Sequence, residues 1–107
     1  MSETPNRPVR HLILCRFRPD ASGEQIQVFI DHFRALSHKI PGILSFEAGA
    51  NNSPEELNRG MTHACLLTFE NSQARDAYLP HPEHRKFVAA NIPLVEEILV
   101  FDYSPED

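Results

Sequence analysis

Arg10-His-Leu-Ile-Leu-Cys-Arg-Phe17 is the stretch whose reading decides the fold. It is short and apolar and is stopped by Pro19, so it reads as a strand. Side chains alternate across a strand, which puts His11, Ile13, Cys15 and Phe17 on one face and Leu12 and Leu14 on the other. Both faces are apolar. Thr62 to Phe69 repeats the pattern, with Cys65, Leu67 and Phe69 opposed to Ala64 and Leu66. Ile98 to Tyr103 repeats it again, with Ile98 and Val100 opposed to Leu99, Phe101 and Tyr103. Strands of this kind need cover on both sides.

Between them lie the helices that supply one cover. Ser22 and Gln25 form an S-x-x-Q capping box. Ile26, Phe29, Ile30, Phe33, Leu36 and Ile40 follow at spacings of three and four, and Pro41-Gly42 ends the stripe. Ile43 to Ala50 alternates as a further strand, with Leu44, Phe46 and Ala48 on one face. In the polar connection Asn51 to Gly60, Ser53-Pro54-Glu55-Glu56 predicts a short helical turn. Asn71 caps a second helix running to about Leu79, Pro80 interrupts it, and His81-Pro82-Glu83-His84 restarts it with Pro82 at the first helical position.

The order is β-α-β-β-α-β, that of a ferredoxin-like α+β fold: a four-stranded antiparallel sheet with both helices on one face. Two helices leave the other face bare. Leu12, Leu14, Leu66, Leu99 and Phe101 would then form a large exposed apolar patch on a monomer. A second copy of the chain is the simplest cover, so a homodimer is expected.

Composition sets the outer bounds. The chain has 107 residues, one domain by size, and 29 of them are Leu, Ile, Val or Phe, enough to exclude a disordered chain. Residues 1–8, with Pro5 and Pro8 among polar neighbours, read as a mobile tail, and residues 9–105 as the single domain. Ten basic against 15 acidic residues argue against a nucleic-acid partner. No apolar run approaches the ~20 residues of a membrane span and no signal peptide opens the chain. A cytoplasmic protein with no membrane partner is expected. Cys15 and Cys65 are too few for a disulfide framework or a zinc site, and read as reduced core thiols.

His11-Leu-Ile-Leu, Ile40-Pro-Gly-Ile-Leu-Ser-Phe-Glu47, Arg59-Gly-Met-Thr-His63, Thr68-Phe-Glu70, Asp76-Ala-Tyr-Leu79, His81-Pro-Glu-His84 and Leu99-Val-Phe-Asp-Tyr103 run in order from Val9 to Pro105. In order and spacing they resemble the stress-responsive dimeric α/β-barrel (Dabb) family. The resemblance implies a ferredoxin-like fold whose two sheets pack into a barrel across a homodimer. Polyketide cyclases of that family close a ring by aldol chemistry without a cofactor. Their catalytic tyrosine and histidine match Tyr78 and His84, and two further pocket histidines match His11 and His63. The chain departs from the family pattern at Pro80.

The residues themselves permit that chemistry. A phenol can donate a hydrogen bond to a carbonyl and to the enolate formed from it, and a neutral imidazole can take the proton beside that carbonyl. The first turn after Pro82 disfavours an imidazolium at His84. The alternative is that Tyr78 packs at a helix end and His84 is an ordinary first-turn residue. His81 and His84 are spaced to face one metal, but Pro82 makes His81 a helix cap instead, so neither metal nor other cofactor is expected. A pocket between sheet and helices is expected to use His11, Ile13, His63, Cys65, His81, Phe87 and Val100. His11 and His63 could equally cap strand ends. The function expected is a cofactor-free cyclase or isomerase acting on a small apolar β-carbonyl ligand. The alternative is a non-catalytic small-molecule-binding or structural stress protein.

Overall fold

A computed structural model describes residues 7–106. Its strands are β1 (Val9–Phe17), β2 (Ile43–Ala50), β3 (His63–Phe69) and β4 (Val95–Tyr103), and its helices are α1 (Gly23–Ala35), α2 (Ser72–Tyr78) and α3 (Pro82–Asn91). The strands pair antiparallel in the order β2-β3-β1-β4, which places β1 in the interior of the sheet. This is the ferredoxin-like α+β arrangement that the strand and helix order predicts.

Each helix starts where its side chains can satisfy its free amides. Ser22 Oγ accepts from the Gln25 N–H at 3.1 Å while Gln25 Oε1 accepts from the Ser22 N–H at 2.9 Å, completing the capping box of α1. Asn71 Oδ1 accepts from the Ala74 N–H at 2.8 Å to start α2. His81 Nδ1 accepts from the Glu83 N–H at 3.0 Å to start α3. Pro80 lacks the amide that would continue α2, and the His81 N–H turns back to the Tyr78 carbonyl at 3.0 Å.

One face of the sheet packs under the helices. Ile13, Cys15, Phe17, Cys65, Leu67 and Phe69 meet Phe29, Ile30, Phe33 and Leu36, all buried. Aromatic rings tie the layers together: Phe17 to Phe29 at 5.1 Å, and Phe33 to Phe46 at 5.2 Å and to Phe87 at 4.7 Å between centroids. Phe33 thereby joins α1, β2 and α3. The opposite face carries the rows Leu66–Leu12–Phe101 and Ala64–Leu14–Leu99 across β3, β1 and β4. Leu99 and Phe101 are more than half exposed there.

Local departures from the sequence reading each have a cause. Leu44 does not share a face with Phe46 and Ala48. The β2–β3 register shifts between Ile43 and Ser45, so Ile43 packs on the core and Leu44 is exposed. Ser53 to Glu56 makes a turn but no helix, because Glu56 takes a left-handed backbone at φ 60°. The α1 stripe tightens into a 3-10 turn at Leu36–His38, yet Ile40 stays buried. β4 begins three residues earlier than expected. Of the tail expected at residues 1–8, positions 1–6 lie outside the described residues, and the Arg7 guanidinium donates to the Pro105 carbonyl.

Gly42 closes the link into β2 at φ +94°, where a Cβ would stand 2.6 Å from Ala74 Cβ on α2. Gly42→Ala should therefore cost roughly 2 kcal/mol or more, from left-handed strain plus the clash. Urea unfolding with an unchanged slope would read this loss, and a change below about 0.5 kcal/mol, the size of an ordinary surface substitution, would contradict it.

Cys15 and Cys65 are free and almost wholly buried, on neighbouring strands. Burial pushes the Cys15 thiol up to about 11; burial, then the neighbouring Cys15, pushes Cys65 up to about 12, with Arg34 opposing. Both should react slowly with a thiol reagent in the native protein and rapidly in denaturant. Unfolded thiols ionise at about 8.5, so above that pH the native state holds more protons and stability should fall as pH rises. Equal urea midpoints at neutral pH and about pH 10 would contradict the burial effect.

Candidate functional site

A cavity of about 180 Å³ lies between the helix-side face of β1 and β4 and the helices above it. Its walls are almost entirely apolar, including Ile13, Phe29, Phe33, Phe87 and Val100. Among the described residues, only His11, His84 and Asn91 bring polar side chains to it. Asn91 Nδ2 is already used, donating to the Phe87 carbonyl at 3.0 Å. The two imidazoles are therefore the chemically distinctive part of the lining. A larger groove of about 370 Å³ between α1 and the end of α3 has Glu24 as its only titratable lining residue among those described.

His84 is the third residue of α3. Its Nδ1 lies 3.0 Å from the Leu79 carbonyl. A carbonyl can only accept, so Nδ1 carries the proton and Nε2 is bare in the neutral ring. Burial pulls its pKa below the usual 6.5; the Leu79 bond opposes this, and His11 and His81 add to the lowering. His84 is thus a neutral imidazole with a free acceptor at pH 7.

His11 is 4 % exposed, and its ring meets Phe69 and Tyr78 edge to face. Cross-strand register places Asp102 opposite it, and His11 Nδ1–H donates to Asp102 Oδ1 at 2.7 Å. Here too Nε2 is the nitrogen left over. The second Asp102 oxygen accepts from Arg75 Nη1 at 2.9 Å.

Tyr78 is fully buried at the end of α2, behind the two imidazoles. The turn at Pro80 folds α3 back so that the Tyr78 and His84 rings lie against each other, tilted by 33° with centroids 4.2 Å apart. The Tyr78 hydroxyl is buried and has no hydrogen-bond partner among the described residues. Burial, then Cys65 and Asp102, pushes its pKa well above the usual 10, so it is a phenol and a donor. An unpaired buried hydroxyl costs about 1–3 kcal/mol, which a ligand oxygen within reach would recover.

Five of the residues expected at the pocket therefore line one cavity: His11, Ile13, His84, Phe87 and Val100. Three do not. His63 lies at the other end of β3, because antiparallel pairing sets it opposite Cys15, four residues or ~13 Å along the strand from His11. It bonds Thr62 Oγ1 at 2.9 Å and packs on Phe17, and burial lowers its pKa. Cys65 is sealed in the core beneath the cavity wall. His81 spends its Nδ1 on the α3 cap. No group of three or more His, Cys, Asp or Glu able to hold a metal ion occurs among the described residues. Sequence reasoning overlooked Asp102 and Arg75. Asp102 had a signal, being the one charged residue between Ile98 and Tyr103 and sharing the parity of Ile98 and Val100.

Comparison with known proteins agrees with this architecture. The chain is 33% identical over 103 residues to the stress-response A/B barrel domain-containing protein HS1 of Arabidopsis thaliana, spanning 96% of this chain and 94% of that one. It is 29% identical to olivetolic acid cyclase of Cannabis sativa, over 91% of this chain and 96% of the cyclase. Among solved structures it superposes on the hydroxynitrile lyase of Passiflora edulis with a TM-score of 0.89, at 26% identity over 96% of this chain and 97% of the lyase. A dimeric protein of unknown function and ferredoxin-like fold from Bacteroides fragilis matches with a TM-score of 0.68, at 29% identity over 91% of this chain and 95% of that one. The family model for the stress-responsive A/B barrel domain matches residues 9–105, almost the whole of the described chain, and the chain belongs to that family.

Proposed function

We propose that this chain is a cofactor-independent acid–base catalyst, of cyclase or lyase type, acting on a small carbonyl compound. His84 Nε2 is the base and the Tyr78 hydroxyl is the proton donor. The observation that carries the reading is the buried Tyr78 hydroxyl, unpaired among the described residues, whose ring packs at 4.2 Å against an imidazole with Nδ1 held by a carbonyl. His84 takes a proton from the carbon beside a carbonyl, and Tyr78 holds the enolate oxygen. The enolate carbon then attacks a second carbonyl, and His84 returns the proton to the new alkoxide. Run in reverse, the same proton inventory cleaves a carbon–carbon bond next to a hydroxyl. No electrons leave or enter, so the chemistry needs no redox partner. Relatives bearing the names of a cyclase and a lyase support the pairing. The apolar walls favour a substrate with little charge.

The test is turnover of a panel of β-polyketones and hydroxynitriles by wild type, His84→Ala and Tyr78→Phe. Each variant should lose on the order of a hundredfold in rate, as for loss of a general acid or base. Because the His84 pKa is lowered and the Tyr78 pKa raised, both groups keep their working forms from neutrality to about pH 10, and kcat/KM should be flat across that range. An acid limb well above pH 6.5 would contradict His84 as the base. No turnover by the wild type, or equal rates in all three proteins, would leave a non-catalytic binding or structural protein as the function.

We also propose that the chain works as a homodimer in the cytosol, its two sheets closing a barrel. The bare sheet face, with Leu99, Phe101 and Tyr103 between 43% and 59% exposed, supports this, as do the dimeric relative and the two unoxidised cysteines. Leu14→Arg, which puts a charge in the middle of that face, should yield monomer or aggregate in sedimentation equilibrium. A wild-type chain that is monomeric at micromolar concentration would overturn the dimer.

A further inference from the structure

Arg75 sits one helical turn before Tyr78 on α2, and no motif in the sequence marks it. Its Nη1 donates to Asp102 Oδ2 at 2.9 Å and its Nε to Asp76 Oδ1 at 2.7 Å. The Asp76 contact joins chain neighbours, and the Asp76 side chain is 67% exposed, so water competes strongly for it. The Asp102 contact differs. Both side chains are more than three-quarters buried, and the bond spans from helix to sheet.

The two oxygens of Asp102 are thus committed to different partners, one to Arg75 and one to His11 Nδ1. A carboxylate held at both oxygens cannot rotate without breaking one bond. With Arg75 removed, a single contact would remain, and the carboxylate could swing toward the solvent that already reaches it. His11 would then lose the acceptor that decides which of its nitrogens carries the proton. Free histidine side chains prefer the Nε2–H form, the opposite of the one built here. The cavity would gain a donor where it now has an acceptor.

We propose that Arg75 is a positioning residue for His11: acting through Asp102, it holds the imidazole in its Nδ1–H form and keeps Nε2 as a second proton acceptor in the cavity beside His84. The inference deepens the acid–base reading of this cavity and rests on it for its functional meaning. It also couples the two halves of the site. The helical turn that presents Tyr78 is fastened by Arg75 to the strand that orients His11, so one guanidinium registers donor and acceptor against each other.

The test is imidazole ¹H–¹⁵N correlation spectroscopy on the full chain at about pH 9, where histidine rings are neutral. In the wild type, His11 Nδ1 should resonate as a protonated nitrogen and Nε2 as a bare one. In Arg75→Gln the two shifts should move toward each other as the second tautomer is populated. Arg75→Lys, which keeps a charged donor, should stay closer to the wild type. His84, whose form is set by the Leu79 carbonyl, is the internal control and should not change in either variant. If Arg75→Gln fails to fold, the wild-type and Arg75→Lys spectra still decide. A wild-type His11 carrying its proton on Nε2, or a His11 pattern unmoved in Arg75→Gln, overturns the proposal, as does an Arg75→Lys spectrum fully averaged between the tautomers. The measurement uses no substrate. A chain inactive on every carbonyl compound would still show whether Arg75 sets the His11 tautomer, so failure of the catalytic reading and failure of this one are separable.

Discussion

The burial of β1 between two other strands, apolar on both faces, is the constraint from which the rest of the structure follows. A central strand pairs its backbone on both edges, so its neighbours β3 and β4 are fixed in register by it. Its inward face, Ile13, Cys15 and Phe17, must be covered by helices, and the aromatic contacts from Phe29 and Phe33 hold those helices in place. Its outward face is left for a partner. Burying each large side chain on the inward face contributes about 1.5–3 kcal/mol, which is why the layer spacing tolerates little change.

His11 breaks the apolar pattern at one point on this strand, and the surroundings answer it. A buried imidazole needs a partner, and the register neighbour on β4 provides one. Asp102 fills that position and in turn needs a cation, which Arg75 supplies from the helix above. The polar chain thus grows outward from a single buried residue. His84 is oriented without charge, by a backbone carbonyl left free where Pro80 breaks the helix. Two different devices engage the same nitrogen, Nδ1, on two rings that line one apolar cavity.

Much of this was legible in the residues, and the rest was hidden for identifiable reasons. Alternation and capping chemistry act over two to four residues, so the strands, the Ser22–Gln25 box and the His81 cap could be read directly. Leu44 was misplaced because a bulge depends on the pairing partner, which the strand's own alternation does not encode. Ser53 to Glu56 has every mark of a helix start, but φ 60° at Glu56 is imposed by the loop it must close. His11 and His63 each open an apolar run, and the same alternation grouped them as pocket residues. Antiparallel pairing sends them to opposite ends of the sheet. Arg75 looks like any solvated helix residue until β4 is placed beneath it.

The central claim is that His11 and His84 together face one small carbonyl ligand. It is tested most directly by titrating the protein with 2,4-pentanedione while following the ring resonances of its six histidines. The account predicts that His11 and His84 shift together, saturating with a single Kd, while the exposed His32 and His38 stay fixed. Shifts spread evenly over all six rings, or none at His11 and His84 at saturating ligand, would contradict it.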